Sequence, residues 1–201
     1  MTNIDEQIAK AKMEKRTIEE IKKIEEAKAE EKSKKISLDE VVSGIKEGKV
    51  TIEDVTFKFK NYKYLNGKIE LPMPVGYFRE VINTEKNVSL VNDLYGISFT
   101  AAYLDKVLNT PTLESFKKGI EENIKNNGFS VEWLEDGEIG EKDKLYYATY
   151  KTPTGRGPLF NVIFYRFFRG TCVIGNYNSS YKNIEKWEYL IKATLNFIKT
   201  K

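Results

Sequence analysis

Residues 159–177 read LFNVIFYRFFRGTCVIGNY, and this stretch decides the fold class. Two apolar runs, 159–168 and 171–177, are separated by Gly170, which leaves room for only a tight turn. Successive side chains of a strand point to opposite faces, so the first run carries apolar residues on both faces. Because strands joined by so short a connection pair antiparallel, these residues predict the centre of an antiparallel sheet.

Strand patterns continue on the N-terminal side of this stretch. Further strands are predicted at 55–59, 62–65, 68–71, 88–91, 94–104, 129–134 and 144–151. Asn66-Gly67 is the strongest hairpin signal, because both residues tolerate positive φ, and Asn92-Asp93 marks a second hairpin. Pro72 and Pro74 are expected to end the strand that follows Asn66-Gly67.

Two helices with one apolar face each accompany the strands. Helical spacing of apolar residues predicts them over 111–127, with Pro111 at the first helical position, and over 181–198. The first has its stripe at Leu113, Phe116, Ile120 and Ile124. The fold class predicted from this order is α+β, an antiparallel β-sheet flanked by helices.

The N-terminal segment differs from the rest in composition. Residues 4–35 contain no Gly or Pro and predict a long charged helix. Ile18, Ile21 and Ile24 form a short apolar stripe on it, suited to a partner or to the protein's own domain. A solvated helix stabilised by Glu–Lys pairs is the alternative.

A second, shorter helix follows this arm. Ser37-Leu38-Asp39-Glu40 is a capping box, and Gly48 can end the helix. The predicted organisation is therefore a charged helical arm at 1–36, a short linking helix at 37–50 and an α+β antiparallel-sheet domain at 51–201.

Residue types that carry much of enzyme chemistry are scarce. The chain has no histidine and one cysteine, so the commonest general base and the usual zinc ligands are missing together. Cys172 lies in an apolar run and is expected to be a buried small hydrophobe. We therefore expect no metal site, no cofactor and no enzymatic activity.

Charge and hydropathy limit the partners. A net charge of +3, from 33 basic and 30 acidic residues, argues against a nucleic-acid-binding protein. No window approaches the ~20 apolar residues of a membrane span, and residues 1–12 lack the apolar core of a signal peptide. We expect a cytoplasmic protein; the sequence does not indicate its oligomeric state.

Two charged or glycine-rich motifs are interpreted as loops. The acidic cluster from Glu132 to Asp143 surrounds Gly137 and Gly140 but lacks EF-hand spacing, so a solvated turn is expected. Residues 152–158, TPTGRGP, precede a strand rather than a helix, which favours a hairpin loop over a phosphate-binding loop.

The aromatic residues suggest where a partner binds. In strand 159–168, Phe160, Val162 and Phe164 point to one face. If both later helices cover that face, the other remains free for a partner. The candidate binding residues are then Ile163, Tyr165 and Phe167, with either Tyr146 and Tyr150 or Tyr147 beside them according to strand register, and Ile18, Ile21 and Ile24 on the arm. A sheet covered on both faces is the alternative.

One segment resembles a known family. Residues 68–78, KIELPMPVGYF, are similar to the strand and Leu-Pro-x-Pro-x-Gly-aromatic segment of the PsbP-like superfamily. Val88-Ser89-Leu90 followed by 96–100 is similar as well, and so is the order of elements over 55–199. That group includes the Ran-binding Mog proteins, the DcrB-like proteins and effector-associated chaperones of bacterial secretion systems.

The resemblance implies binding rather than catalysis, because the family has no common catalytic residues. It implies a non-enzymatic adaptor or chaperone for a protein client, such as a secreted effector. A structural subunit of a larger bacterial or phage particle, with a neighbouring subunit as partner, is one alternative. A small-ligand or lipid-binding module is another.

Overall fold

The computed structural model describes residues 36–107, 111–141, 144–181 and 184–201, except for the side chains of 185 and 186. Ser37–Lys201 form one compact unit. Its elements, in chain order, are α1 (Leu38–Glu47), β1 (Lys49–Ile52), β2 (Val55–Tyr64), β3 (Ile69–Pro74), β4 (Arg79–Asn83), β5 (Asn87–Asn92), β6 (Ile97–Leu104), α2 (Leu113–Asn126), β7 (Glu132–Ile139), β8 (Leu145–Thr152), β9 (Leu159–Phe168), β10 (Thr171–Ser180), α3 (Ile184–Leu195) and β11 (Lys199–Thr200).

The strands form two antiparallel sheets. A four-stranded sheet has the order β1-β2-β3-β11, and a seven-stranded sheet has the order β4-β5-β6-β10-β9-β8-β7. The run that decides the fold supplies β9 and β10 in the middle of the larger sheet, paired from Thr171 opposite Phe168 to Ser180 opposite Leu159. The predicted α+β class with an antiparallel sheet is confirmed. The long helix predicted over 4–35, and all but the last residue of the arm predicted at 1–36, lie outside the described residues.

Local signals place α1 and the first hairpin where the sequence predicts them. The Ser37 side chain accepts a hydrogen bond from the Glu40 backbone and the Glu40 side chain accepts one from Ser37, a complete capping box. Gly48 ends the helix with φ 82°. At the β2–β3 turn Asn66 and Gly67 both have positive φ, as a tight hairpin requires.

Pro72 does not end β3, contrary to the sequence expectation, whereas Pro74 is its last residue, as expected. Both lie within β3 and are paired with β2. Hydrogen bonding in an antiparallel strand alternates from side to side. The Val75 amide donates to β2, whereas the Lys68 carbonyl accepts from the β11 side, so the prolines face the β11 side. Strand β11 pairs with Ile69 and Glu70, and an amide is therefore not required of the prolines.

One face of the seven-stranded sheet, named face A, forms the main core. Phe160 and Phe164 of β9 lie on it with Phe99 of β6, and all three are fully buried. The smaller sheet and α3 cover this face. Tyr177 of β10 reaches Met73 of β3 across the interface, with 3.8 Å between its hydroxyl and the Met73 sulfur. Trp187, Leu190 and Ile191 of α3 are buried as well.

The opposite face, named face B, is covered by α2. Phe116, Ile120 and Ile124 pack against buried residues of β8 and β9. The rings of Phe116 and Tyr165 are 4.3 Å apart. Of the two arrangements that the sequence left open, the sheet covered on both faces is therefore the one observed, with α2 and α3 on opposite faces.

The acidic cluster at 132–143 is also placed differently from the expectation. Most of it is strand β7 rather than a turn. Asp136 forms an ion pair with Lys117 of α2, and Glu135 forms one with Lys192 of α3. Lysines from helices on both faces thus stabilise carboxylates along this edge strand.

The helix α2 begins after its N-cap Thr112, so Pro111 precedes the cap rather than opening the helix.

Candidate functional site

The aromatic residues predicted to bind a partner are largely buried. Tyr165 is 0% exposed and Ile163 and Tyr150 are 5% exposed, while Tyr146 and Phe167 are half-buried. Helix α2 occupies the face to which they point. In this structure the surface expected to receive a partner is therefore mostly filled by the protein itself.

The structure settles which tyrosines share this face. Tyr146 pairs with Tyr165, and their rings stack 5.1 Å apart. Tyr147 pairs with Phe164 instead and points to face A. Of the two alternatives in the sequence, Tyr146 and Tyr150 are thus the residues beside Tyr165. Ile18, Ile21 and Ile24 lie outside the described residues, and their role stays a prediction.

An apolar surface that the sequence reasoning missed lies at the turn between β5 and β6. We name residues 92–96 the hairpin tip. Leu94 is 83% exposed and Tyr95 is 45% exposed, the former being the highest value among the large hydrophobic residues described. The pattern Asn92-Asp93 indicated a turn, but two apolar residues at turn positions that usually hold polar ones were the missed signal.

A cluster of aromatic rings supports the hairpin tip from below. Tyr95 stacks on Tyr77, with 5.3 Å between the ring centroids. Tyr77 in turn contacts Phe57, Phe78 and Trp187 at 5.7, 5.4 and 5.1 Å. Burial, and secondarily the neighbouring Tyr95, raises the pKa of Tyr77, so this ring stays neutral. The cluster joins the smaller sheet, α3 and the tip.

Hydrogen bonds fix the tip on this cluster. The Asn92 side chain donates to the Tyr77 carbonyl at 2.6 Å and accepts from the Tyr95 amide at 3.2 Å. Arg79 and Asp93 form an ion pair at 2.9 Å beside them. The backbone that carries Leu94 and Tyr95 is therefore ordered before binding, and little backbone entropy remains to be lost.

A second feature is a cleft of about 280 Å³ on face B, between the C-terminal end of α2 and strands β8 to β10. We name it the amide cleft. Its floor contains Asn161, which is 2% exposed and donates to the Tyr150 carbonyl and the Thr152 hydroxyl at 3.2 and 3.1 Å. Asn178 donates to the Asn161 side-chain oxygen and accepts from Asn176 at 3.3 Å.

The side chains that line the amide cleft are neutral at ordinary pH. They are amides, hydroxyls and apolar groups, and burial raises the pKa of its one phenol, Tyr150, to about 12. The cleft is suited to binding a neutral group.

Outside the cleft, burial raises the pKa of the Cys172 thiol to about 11, as expected of a buried small residue. Among the described residues no three His, Cys, Asp or Glu side chains are grouped to hold a metal ion.

Comparison with known proteins identifies the fold. No family profile and no curated sequence matches the chain. The crystal structure of the Saccharomyces cerevisiae Ran-binding protein Mog1p is similar over 72% of this chain and 96% of its own, with 11% identity and a TM-score of 0.55. The solution structure of PsbP (CyanoP) from Synechocystis sp. PCC 6803 is similar over 76% of this chain and 98% of its own, with 9% identity and a TM-score of 0.57.

These likenesses define the class of protein by fold. The chain has the Mog1- and PsbP-like α+β fold, as the resemblance of residues 68–78 implied. At such low identity the comparison establishes the fold and leaves activity and partners open. In the part of the chain that the structure describes, no helix is long and apolar enough to cross a membrane.

Proposed function

We propose that this protein is a non-enzymatic binding protein that acts as an adaptor or chaperone for a protein client, which it engages through the hairpin tip. The observation that carries this proposal is the exposure of Leu94 and Tyr95 on an ordered aromatic base. Leu94 and Tyr95 are adjacent on this turn, and contiguous exposed apolar surface is a feature of protein interaction sites.

The energetics favour a protein partner. Transfer of a leucine side chain from water to an interface contributes about 1.5–3 kcal/mol. Tyrosine, tryptophan and arginine dominate the residues that carry binding energy in interfaces, and Tyr95, Tyr77 and Arg79 lie together here. Because Asn92 already fixes the turn, little of this energy is used to order its backbone on binding.

The fold is consistent with this use. Mog1p, which has the same fold, is described as a Ran-binding protein. A structural subunit of a larger assembly would use the same exposed tip. The two functions differ in stoichiometry, because an adaptor forms a complex of fixed size whereas a subunit adds repeatedly.

The test compares two leucines that are both exposed. Leu94 lies on the tip, and Leu134 is 43% exposed on β7, the opposite edge strand of the seven-stranded sheet. The partner captured by the full chain is identified, purified and titrated against the wild-type protein, Leu94→Asp and Leu134→Asp. We expect Leu94→Asp to weaken binding at least tenfold and Leu134→Asp to leave it within about twofold.

Light scattering on the purified complex separates the two functions. One defined mass supports the adaptor, whereas a mass that grows with concentration supports the structural subunit. Equal affinity of all three proteins for the partner would contradict a binding role for the hairpin tip.

A further inference from the structure

The amide cleft has a fixed pattern of hydrogen-bond donors and acceptors. Asn161 is held from two sides, so its side-chain oxygen is aimed at Asn178. The Asn178 oxygen accepts from Asn176 and, at 3.5 Å, from the Ser98 hydroxyl. An amide NH₂ group carries two donors, and within the described residues that of Asn178 makes one bond. The second N–H is available to a ligand.

The next side chain along β10 also requires a partner. The side-chain oxygen of Asn176 is buried and meets no hydrogen-bond donor among the described residues. A buried polar atom left in this state is costly, and such atoms are usually satisfied. A ligand that donates a hydrogen bond at this position would complete the network that starts at Asn161.

The backbone spacing of these two residues matches that of an extended polypeptide. Asn176 and Asn178 are two residues apart on one strand and lie on the same face, so their Cα atoms are about 6.8 Å apart while their side chains bond to each other. The peptide groups of an extended chain repeat with the same two-residue period. A segment that runs along β10 would therefore present a backbone group to each asparagine in turn.

Part of the cleft lining is apolar. Ile124, Phe129, Pro153 and Leu159 contribute to it, and Phe129 is 48% exposed. Because the lining residues carry no charge, the site matches an uncharged segment in electrostatics and would disfavour burial of a charged side chain.

We propose that the amide cleft and the adjoining face of β10 bind an uncharged extended peptide segment, with one apolar side chain inserted beside Phe129. The proposal rests on the proposed function only in taking the ligand to be a polypeptide. The cleft lies beside α2 and is separate from the hairpin tip. The tip packs near α3 instead, because Tyr95 stacks on Tyr77 and Tyr77 contacts Trp187 of α3.

The experiment screens bead-displayed nonapeptides, blocked at both ends, in matched uncharged, acidic and basic sets. Selected peptides are titrated into the full-length ¹⁵N-labelled protein while the side-chain NH₂ signals of Asn161, Asn176 and Asn178 are followed. We expect enrichment of uncharged peptides with one large apolar residue, and shifts of these three NH₂ signals.

Variants then assign the contacts. Phe129→Ala and Asn176→Ala should each weaken peptide binding about tenfold, because each removes one contact of a small interface. The matched controls Leu134→Ala and Asn126→Ala change an exposed leucine and an exposed asparagine outside the cleft, and should stay within about twofold. Thermal melts of all four check that each variant is folded.

The proposal would be overturned by enrichment of a charged set, by no enrichment of any set, or by unchanged affinity of both cleft variants. Shifts of the same NH₂ signals by a neutral oligosaccharide, without peptide enrichment, would assign the cleft to another ligand and also overturn it. Leu94→Asp should bind the selected peptides normally. Loss of the partner in Leu94→Asp without any peptide binding would thus refute the cleft and leave the hairpin tip intact.

Discussion

Two aromatic regions of this molecule look equally suited to binding by composition, yet the fold uses them differently. The aromatics of β8 and β9 are largely covered, with Phe164 buried on face A and Tyr165 buried under α2. The ring of Tyr95 is supported from below but remains 45% exposed. The difference shows that the role of an aromatic residue is decided by which distant element packs on it.

The largest expected effect on the free energy of unfolding is at the covered aromatic residues of β9. Phe164 is fully buried and stacks on Phe99 at 6.4 Å, so Phe164→Ala should lower the free energy of unfolding by about 3–5 kcal/mol. Phe167 is half-buried at the end of β9, and Phe167→Ala should cost clearly less. Urea denaturation of both variants measures the difference. Equal losses would show that the end of β9 belongs to the core as fully as its middle.

The second largest effect on stability is expected from the close packing of Phe164 against Gly175. A Cβ atom added at Gly175 would lie 2.1 Å from Cζ of Phe164, so Gly175→Ala should destabilise the protein by about 1–3 kcal/mol. Gly155→Ala is the control, because its added Cβ meets no described atom within 4 Å. In a double-mutant cycle the pair Gly175→Ala and Phe164→Leu should be clearly non-additive. Additive effects of the two substitutions would show that the strain does not come from contact between the added methyl group and Phe164.

Much of this fold could be predicted from local signals. The capping box, the Asn66-Gly67 hairpin and the strands on either side of Gly170 depend on residues close in sequence, and the structure contains all three. Strand β4 carries no such signal, because all five of its residues are exposed and only pairing with β5 defines it.

The remaining differences have non-local causes. An acidic run forms strand β7 by pairing with β8, and Lys117 and Lys192 reach its carboxylates from two helices. Coverage of Tyr165 depends on where α2 packs, which the helical stripe alone does not specify. The candidate site was missed for the same reason. A turn signal at Asn92-Asp93 predicts the chain reversal, whereas only the tertiary structure brings Tyr77 beneath Tyr95.

A smaller, pH-dependent effect is expected where α3 meets β7. Burial raises the pKa of Glu135, but hydrogen bonds from Lys192 and Tyr147 outweigh it and hold the pKa below its ordinary value of 4.5. A carboxyl with a lowered pKa in the folded state contributes stability above that value, and loses it as the pH falls through the folded pKa.

Lys192→Met tests this contribution. Burial lowers the pKa of Lys192, whereas bonds to Glu135 and Glu188 raise it above 10.5, so its stabilising effect is complete below that value and is lost at higher pH. The variant should therefore lose stability at neutral pH and show a flatter decline below about pH 4.5. Denaturation midpoints from pH 3 to pH 8 check this, with Lys118→Met on the exposed side of α2 as control. An unchanged acid profile would contradict the assignment.

The smallest effect on stability is expected at the hairpin tip. Leu94 is 83% exposed, so Leu94→Asp should change the free energy of unfolding by no more than about 0.5 kcal/mol. Thermal and urea unfolding of this variant should overlay the wild type. A loss as large as that of Phe164→Ala would show that Leu94 serves the fold.

Site-specific photo-crosslinking tests most directly the claim that the exposed tip, and not the covered aromatics, contacts the partner. The photoreactive residue p-benzoylphenylalanine is placed at position 94 in one variant and at position 167 in another, and each is irradiated with the purified partner. We expect a cross-linked complex from position 94 and little or none from position 167. A strong cross-link from position 167 and none from position 94 would contradict it and return the binding surface to the aromatic face of β8 and β9.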